Sequence, residues 1–458
     1  MERQRRGTAR GRGAAAHPVD QWLPPGRLLT LGLQHALVMY AGSIAVPLIV
    51  GRALGLAADQ IAYLVNADLL ACGIATFIQS FGLPGIGIRL PIMMGVTFTA
   101  VSPMLAMVAG GKAAGTPPEE TLRVIYGAVI GAGIVGLLAA PLMSRLLRFF
   151  PPVVTGSVIL VIGISLMPIA VNWAAGAPDP AMPGYGAPGN LAVALLVLLV
   201  ILGISRFATG FLAHVAVLIG IVVGIAVSTA AGTMSFAEVV AAPLLGAVLP
   251  LHFGLPLLDP VALLTMALVM IVTMIESMGG FLAVGEMTGR PLDRAALARG
   301  LRGDGLGTIV GGLFNTFPYT SYSQNVGLVG ITGVRSRHVC VAAAGVLALL
   351  GLVPKLGALV EAVPGPVLGG AGIVMFGMVA ATGLRTLGRV DFAGTPANQL
   401  IVAVSIGVGM IPLASDRFFQ ALPAGLEPLL GSGILLTATA AVLLNLFFNG
   451  TRPAEQKA

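Results

Sequence analysis

The sequence predicts an all-α polytopic membrane protein with fourteen transmembrane segments, arranged as two inverted seven-span repeats. Three observations carry that expectation: the scarcity of charge, the lopsided placement of the basic residues, and a motif that returns in the second half of the chain.

Of the 458 residues, 57% are hydrophobic and only 9% charged. A soluble chain of this length carries about 25% charged residues. So little charge cannot cover a water-facing surface, and most of the exterior must face lipid. The 63 glycines and 31 prolines show no collagen period. Inside apolar segments they suit closely packed or deliberately broken membrane helices. Cys72 and Cys340 lie in apolar stretches without metal-ligand spacing and read as small packing residues. The Arg-rich stretch before Arg27 has no apolar core, so it does not read as a secretory signal. Nothing after it is soluble enough to form a nucleic-acid-binding domain. Residues 1–28 therefore read as a disordered cytoplasmic tail near anionic headgroups.

A spanning helix needs about 20 apolar residues. Candidates lie at 29–50, 61–81, 90–109, 122–143, 151–171, 190–205, 212–231 and 260–283, then at 303–316, 318–332, 338–353, 364–384, 397–412 and 431–449. Placing both termini inside puts twenty of the 25 basic residues on the inner side. Only Arg52, Lys112, Arg123, Lys355 and Arg417 remain outside. Cytoplasmic loops carry the Lys/Arg excess, and an odd error in the count would destroy that bias.

Pro152, Val153, Gly156, Ile159 and Gly163 follow the pattern P-V-x-x-G-x-x-I-x-x-x-G, as do Pro366, Val367, Gly370, Ile373 and Gly377. These open the fifth and twelfth spans. A repeat of seven spans inverts its second copy, a recurring plan in secondary transporters whose site lies at the midplane. The third and tenth spans should then correspond, and both are broken: one by Pro91, Gly95 and Pro103, the other by Pro318 and the polar-aromatic run before Gln324. Unwound backbone at membrane depth is tolerated only where it lines a cavity or is buried in protein.

An acidic residue at the centre of a membrane helix costs about 2.5–3.5 kcal/mol on insertion scales, so each needs a reason. Glu276 lies well inside the eighth span and is the foremost candidate for function. Asp304 opens the ninth expected span, either as an N-cap before Gly305 or as a proton carrier. Asp68 reads as a network residue, His35 as a polar group bonding across helices, and Glu286, near Arg290, as surface. His17, His35, His214, His252 and His338 are scattered, and no catalytic constellation is visible, so an enzyme is not expected.

From Gln324 to Gly333 the chain reads Q-N-V-G-L-V-G-I-T-G. This resembles the signature of the nucleobase–ascorbate transporter family (nucleobase:cation symporter-2), with Gln324, Asn325, Gly327, Thr332 and Gly333 matching. The segments around Gln34, Phe98, Glu276 and Asp304 agree, so the resemblance runs from about Leu29 to Phe448. It implies a core domain of spans 1–4 and 8–11 (residues 29–143 and 259–353). It also implies a gate domain of spans 5–7 and 12–14 (144–258 and 354–449), followed by a cytoplasmic tail at 450–458. Short strands are implied in spans three and ten, as is a homodimer formed through the gate.

The resemblance further implies uptake of xanthine or uric acid with protons rather than sodium, without any cofactor, across a plasma or bacterial inner membrane. Uracil carriers of the family tend to have Glu at the position of Gln324, which favours purines here. An inorganic anion exchanger of the same fold stays open as a rival. Substrate binding is expected from Glu276, Gln324, Phe98, Asn325 and His35, and proton coupling from Glu276 or Asp304. The Gln324 amide offers a donor and an acceptor to a purine edge, the Glu276 carboxylate accepts from ring N–H groups, and Phe98 stacks on the ring.

Overall fold

A computed structural model describes residues 17–415, 417–423 and 426–450. The protein is predominantly helical. Among the described residues, seven helices are long and apolar enough to cross a membrane, and a pair bent by 79° gives an eighth.

The first long helix breaks into α1 (Pro25–Ser43) and α2 (Ala45–Leu54). Pro47 has no N–H to return to the Ser43 carbonyl, which accounts for a break at that point. Next come α3 (Ala58–Phe81), a strand β1 (Met94–Val96), α4 (Val101–Ala113) and α5 (Pro118–Ala139). The first half closes with α6 (Pro152–Ala175), α7 (Pro188–Phe207) and α8 (Ala216–Ala230). The second half repeats this order with α9 (Pro260–Thr288), α10 (Arg294–Leu313), β2 (Tyr319–Ser321), α11 (Ser323–Thr332) and α12 (His338–Gly351). Then follow α13 (Pro354–Glu361), α14 (Gly365–Leu387), α15 (Ala397–Gly409) and α16 (Gly433–Asn449).

The start of α10 differs from the expected 303. Asp293 caps it, its carboxylate accepting from the Ala296 amide at 2.6 Å. Asp304 therefore lies in mid-helix and is no N-cap.

The packing has a regular pattern. α3 packs on α12, α5 on α10, and α6 along α14. Each pair runs antiparallel through small residues: Gly73 meets Ala344 and Ala348, Gly133 meets Gly305, and Gly156 and Gly163 meet Leu387 and Ala380. Small residues let membrane helices approach closely. In the fourteen-segment count, shifting every partner by seven turns observed pairs into one another. The second with the eleventh becomes the ninth with the fourth, and the sixth with the seventh becomes the thirteenth with the fourteenth. The motif glycines do not share one role, however. Gly370 packs against α7, and Gly377 faces open space.

Helices of 25–139 pack chiefly with those of 260–361, and helices of 152–230 with those of 365–449. Two expected boundaries shift as a result. α13 packs on α3, with Gly357 against the Ala62 carbonyl, so residues 354–361 belong with the first group. Residues 246–257 are bonded to the same group, through Leu257 N to Arg123 O (3.0 Å) and Leu251 N to Leu313 O (2.8 Å).

The N-terminal tail, residues 1–28, was expected to lack structure. Residues 1–16 and 451–458 lie outside the described residues, but from residue 17 the chain forms a strap. Asp20 pairs with Arg337 (2.7 Å) and Arg290 (3.0 Å). The Arg337 guanidinium also donates to the Ser80 and Phe81 carbonyls at the end of α3. Trp22 stacks on His338 at 3.9 Å. The strap thus draws together the ends of α3, α9 and the turn before α12. The ion pairs are about a third exposed on the aspartate side, where each is worth at most about 1 kcal/mol. Asp20→Ala is therefore expected to lower the melting temperature in detergent by only about 2 °C. A drop of more than about 10 °C would show that the strap organises the fold.

Candidate functional site

β1 and β2 pair antiparallel, Met94 with Ser321, Gly95 with Thr320 and Val96 with Tyr319, and every one of these residues is buried. Buried strand edges leave amides that must find partners. Helix hydroxyls supply them. Thr76 Oγ1 accepts from Met94 N (2.9 Å), Ser277 Oγ from Ser321 N (3.0 Å) and Thr308 Oγ1 from Tyr319 N (3.1 Å). The ribbon is thereby fixed to α3, α9 and α10. Gly42 of α1 has no room for a Cβ, because the Tyr322 hydroxyl occupies that space.

Asp68 anchors the ribbon from behind. Fully buried in α3, its carboxylate accepts from the hydroxyls of Ser43, Thr316 (3.1 Å) and Tyr319 (2.8 Å). This is the network role expected of it, joining α1, α3 and β2.

Each strand ends at the start of a helix: a tight turn at Phe98–Ala100 leading into α4, and α11 beginning at Ser323. Two helix N-termini, each carrying a partial positive charge, therefore flank the ribbon. Phe98 is half-buried, its ring edge-on to Phe376 of α14 with centroids 5.7 Å apart. Glu276 is half-buried on α9, and its Oε2 accepts from the Thr99 hydroxyl at 3.3 Å. The neighbouring Ser277 shares a hydrogen bond with Thr320 Oγ1 (2.9 Å), which holds Glu276 beside β2. Gln324 stands exposed at the beginning of α11. Three residues on, Gly327 is also exposed and has open space where a side chain would be.

Glu276 thus lies beside Phe98 through Thr99, and Gln324 follows the other end of the ribbon at the start of α11. Asn325 and His35 are buried behind them and bonded to each other: the Asn325 amide donates to the His35 carbonyl (2.9 Å) and lies 3.2 Å from its Nδ1. They fasten α11 to α1. Asp304 is fully buried, with Oδ1 accepting from Gln79 Nε2 (2.8 Å) and Oδ2 unpartnered. Thr332 is about 12 Å further along α11. Its hydroxyl bonds the Leu328 carbonyl, and Gly333 closes the helix in the left-handed region at φ 62°.

Sequence reasoning missed Thr99 and Phe376. Thr99 is next to Phe98 and was within reach of the same reasoning. Phe376 is one aromatic in an apolar helix, and only its position across from Phe98 distinguishes it. The described residues contain no group of His, Cys, Asp or Glu spaced to hold a metal.

A carboxylate, an amide and a ring thus flank a buried strand pair in a polytopic helical protein. The comparisons supply the family. The model described as "Permease family" (Xan_ur_permease) matches residues 26–418. The uric acid transporter UacT of Escherichia coli K12 is 49% identical over 441 residues, covering 96% of this chain and 90% of that protein. The xanthine permease of Bacillus subtilis 168 is 43% identical, covering 93% and 94%. The chain belongs to this permease family, the nucleobase:cation symporter-2 group whose signature it carries. Among solved structures, the transmembrane domain of the cyanobacterial bicarbonate transporter BicA matches at TM-score 0.55 and 17% identity, over 92% of this chain and 96% of that one. Murine Slc26a9, an anion transporter in the inward-facing state, matches at TM-score 0.63 and 13% identity, over 98% and 74%. At these identities the likeness is one of fold.

Proposed function

We propose that the protein imports a purine nucleobase, xanthine or uric acid, by proton symport. The observation that carries the reading is the placing of Glu276, Gln324 and Phe98 around the paired strands, in a chain whose relatives are named for uric acid and xanthine. A purine-dione presents alternating N–H and C=O groups along its edge. Gln324 pairs with one stretch of that edge, Glu276 accepts from ring N–H, and Phe98 covers the ring face. Asn325 and His35 act by holding α11 in place, and the Gly327 to Thr332 stretch by shaping that helix.

Fourteen spans in two inverted repeats fit the seven-shifted packing and the basic-residue split. Both termini are then cytoplasmic, in a plasma or bacterial inner membrane. The first helix group is the core and the second the gate, through which a homodimer forms. Alternating access moves one group against the other, with Phe98 and Phe376 parting at their boundary. Glu276 or Asp304 carries the coupling proton; Asp304 has a free Oδ2 for it.

Anion exchange is the second reading, since the matching folds come from anion transporters. The Glu276 carboxylate at the site opposes a small inorganic anion. One experiment covers these points: uptake of labelled xanthine into proteoliposomes under an imposed proton gradient, with and without a protonophore and with unlabelled competitors. Competition by uric acid, none by uracil or sulfate, and collapse on adding protonophore are expected. Indifference to the gradient sinks proton coupling, and competition by sulfate sinks the purine reading.

A further inference from the structure

Helix groups that move against each other must be joined by chain that can bend. The crossing from α13 to α14 is the shortest of the three: Ala362, Val363 and Pro364 alone lie between Glu361 and Gly365. The other two, 140–151 and 231–259, are longer. α13 packs on α3 and α14 along α6, so the chain passes from one group to the other within these three residues. The Val363 amide still follows α13, donating to the Val360 carbonyl (3.3 Å). Its carbonyl belongs to the planar peptide of Pro364, which caps α14. Turning α14 therefore turns that carbonyl.

Arg52, in the last turn of α2, reaches both sides of the crossing. Its Nη2 donates to the Glu361 carbonyl (2.9 Å) and to the Val363 carbonyl (3.2 Å). Glu361 ends α13, where carbonyls lack partners within the helix. The Glu361 carboxylate also attracts Arg52, from Arg52's own side of the crossing. The guanidinium carbon lies 5.8 Å from the ring centroid of Trp173 in α6, within cation–π range. Trp173 travels with α14: its carbonyl is 3.2 Å from where a Cβ on Gly365 would stand. Arg52 thus holds Glu361 in its own group, Val363 in the crossing and Trp173 in the other group. Arg123 differs, since it donates to the Leu255 carbonyl (2.8 Å) within the first group.

We propose that Arg52 is a latch on this hinge. Its contacts with Val363 and Trp173 form in the orientation seen here, and their release lets α14 and α6 swing away from α2. The role rests on the movement of the two groups proposed above. A contact made in one of two states shifts their balance by the free energy it contributes.

The test is a distance measurement between spin labels on the full-length protein in lipid nanodiscs. Labels at Ala114→Cys in the first group and Ala181→Cys in the second are both on exposed positions, and the native cysteines are buried. Xanthine should redistribute the distances of the parent. Without xanthine, Arg52→Gln should raise the share of the second distance about fivefold. Trp173→Leu should do the same while sparing the carbonyl bonds, and it carries the test if Arg52→Gln fails to fold. Arg123→Gln should leave the distances as they are. Unchanged distances in Arg52→Gln and Trp173→Leu, with xanthine still shifting the parent, overturn the latch and leave the movement standing. Distances that neither xanthine nor any substitution changes overturn the movement and the latch together. An equal shift in Arg123→Gln overturns the latch as well, because any arginine at that end would then serve.

Discussion

Glu276→Gln is expected to cut uptake of labelled uric acid about 100-fold while leaving protein abundance and melting temperature nearly unchanged. The substitution keeps the shape of the side chain and removes its charge. Hydrogen bonds to a charged group contribute about 1.5–3 kcal/mol, and a 100-fold loss corresponds to about 2.7 kcal/mol. The glutamate accepts one hydrogen bond, from Thr99, and Gln can accept the same bond, so the fold loses little. A second readout separates recognition from coupling. Counterflow exchange of purine needs no net proton movement. If it survives in Glu276→Gln while gradient-driven uptake fails, the carboxylate carries the proton; if both fail, it binds the base. Gradient-driven uptake within about threefold of the parent would falsify any central role for Glu276.

Asp68→Ala is expected to be severe for a different reason. It leaves the hydroxyls of Ser43, Thr316 and Tyr319 buried together without their shared acceptor. Removing one member of such a network costs about 3–5 kcal/mol, enough to unfold or mispack a marginally stable protein. Because Tyr319 belongs to β2, the damage reaches the strand pair directly. Melting in detergent should fall by many degrees, and uptake should vanish with it. Asp68→Asn retains one acceptor oxygen and should lie between the two. A melting temperature unchanged in Asp68→Ala would show that the network does not hold the ribbon in place.

The difference between these two carboxylates was only partly legible in the sequence. Both lie in apolar helices, and insertion cost alone flags each as needing a reason. What separates them is the number of donors around each: three hydroxyls on Asp68, one on Glu276. Those donors come from segments up to 251 residues away in the chain, so no local pattern reports them. Asp304 shows the same limit from another side. Its neighbours suggested a helix start, but Asp293 takes the cap eleven residues earlier, and the buried mid-helix position of Asp304 follows from that.

His35 and Asn325 carry the lesson further. Each is a polar residue in an apolar segment, and the signature places Asn325 beside Gln324. Consecutive residues on a helix point about 100° apart, so when Gln324 faces the open side, Asn325 turns toward α1 and is spent on His35.

The sequence by itself determined that this chain is a multi-pass membrane permease, that its third and tenth segments are broken, and which acidic residues stand inside the membrane. These follow from composition, periodicity and the cost of burying charge, all properties of the chain alone. Only the tertiary structure decided which polar groups remain free and which satisfy one another. It also set the strap over the helix ends and the aromatic pair of Phe98 and Phe376. Hydrogen bonds and packing contacts join groups by distance in space, and in a buried interior the role of each polar atom follows from the partner it meets.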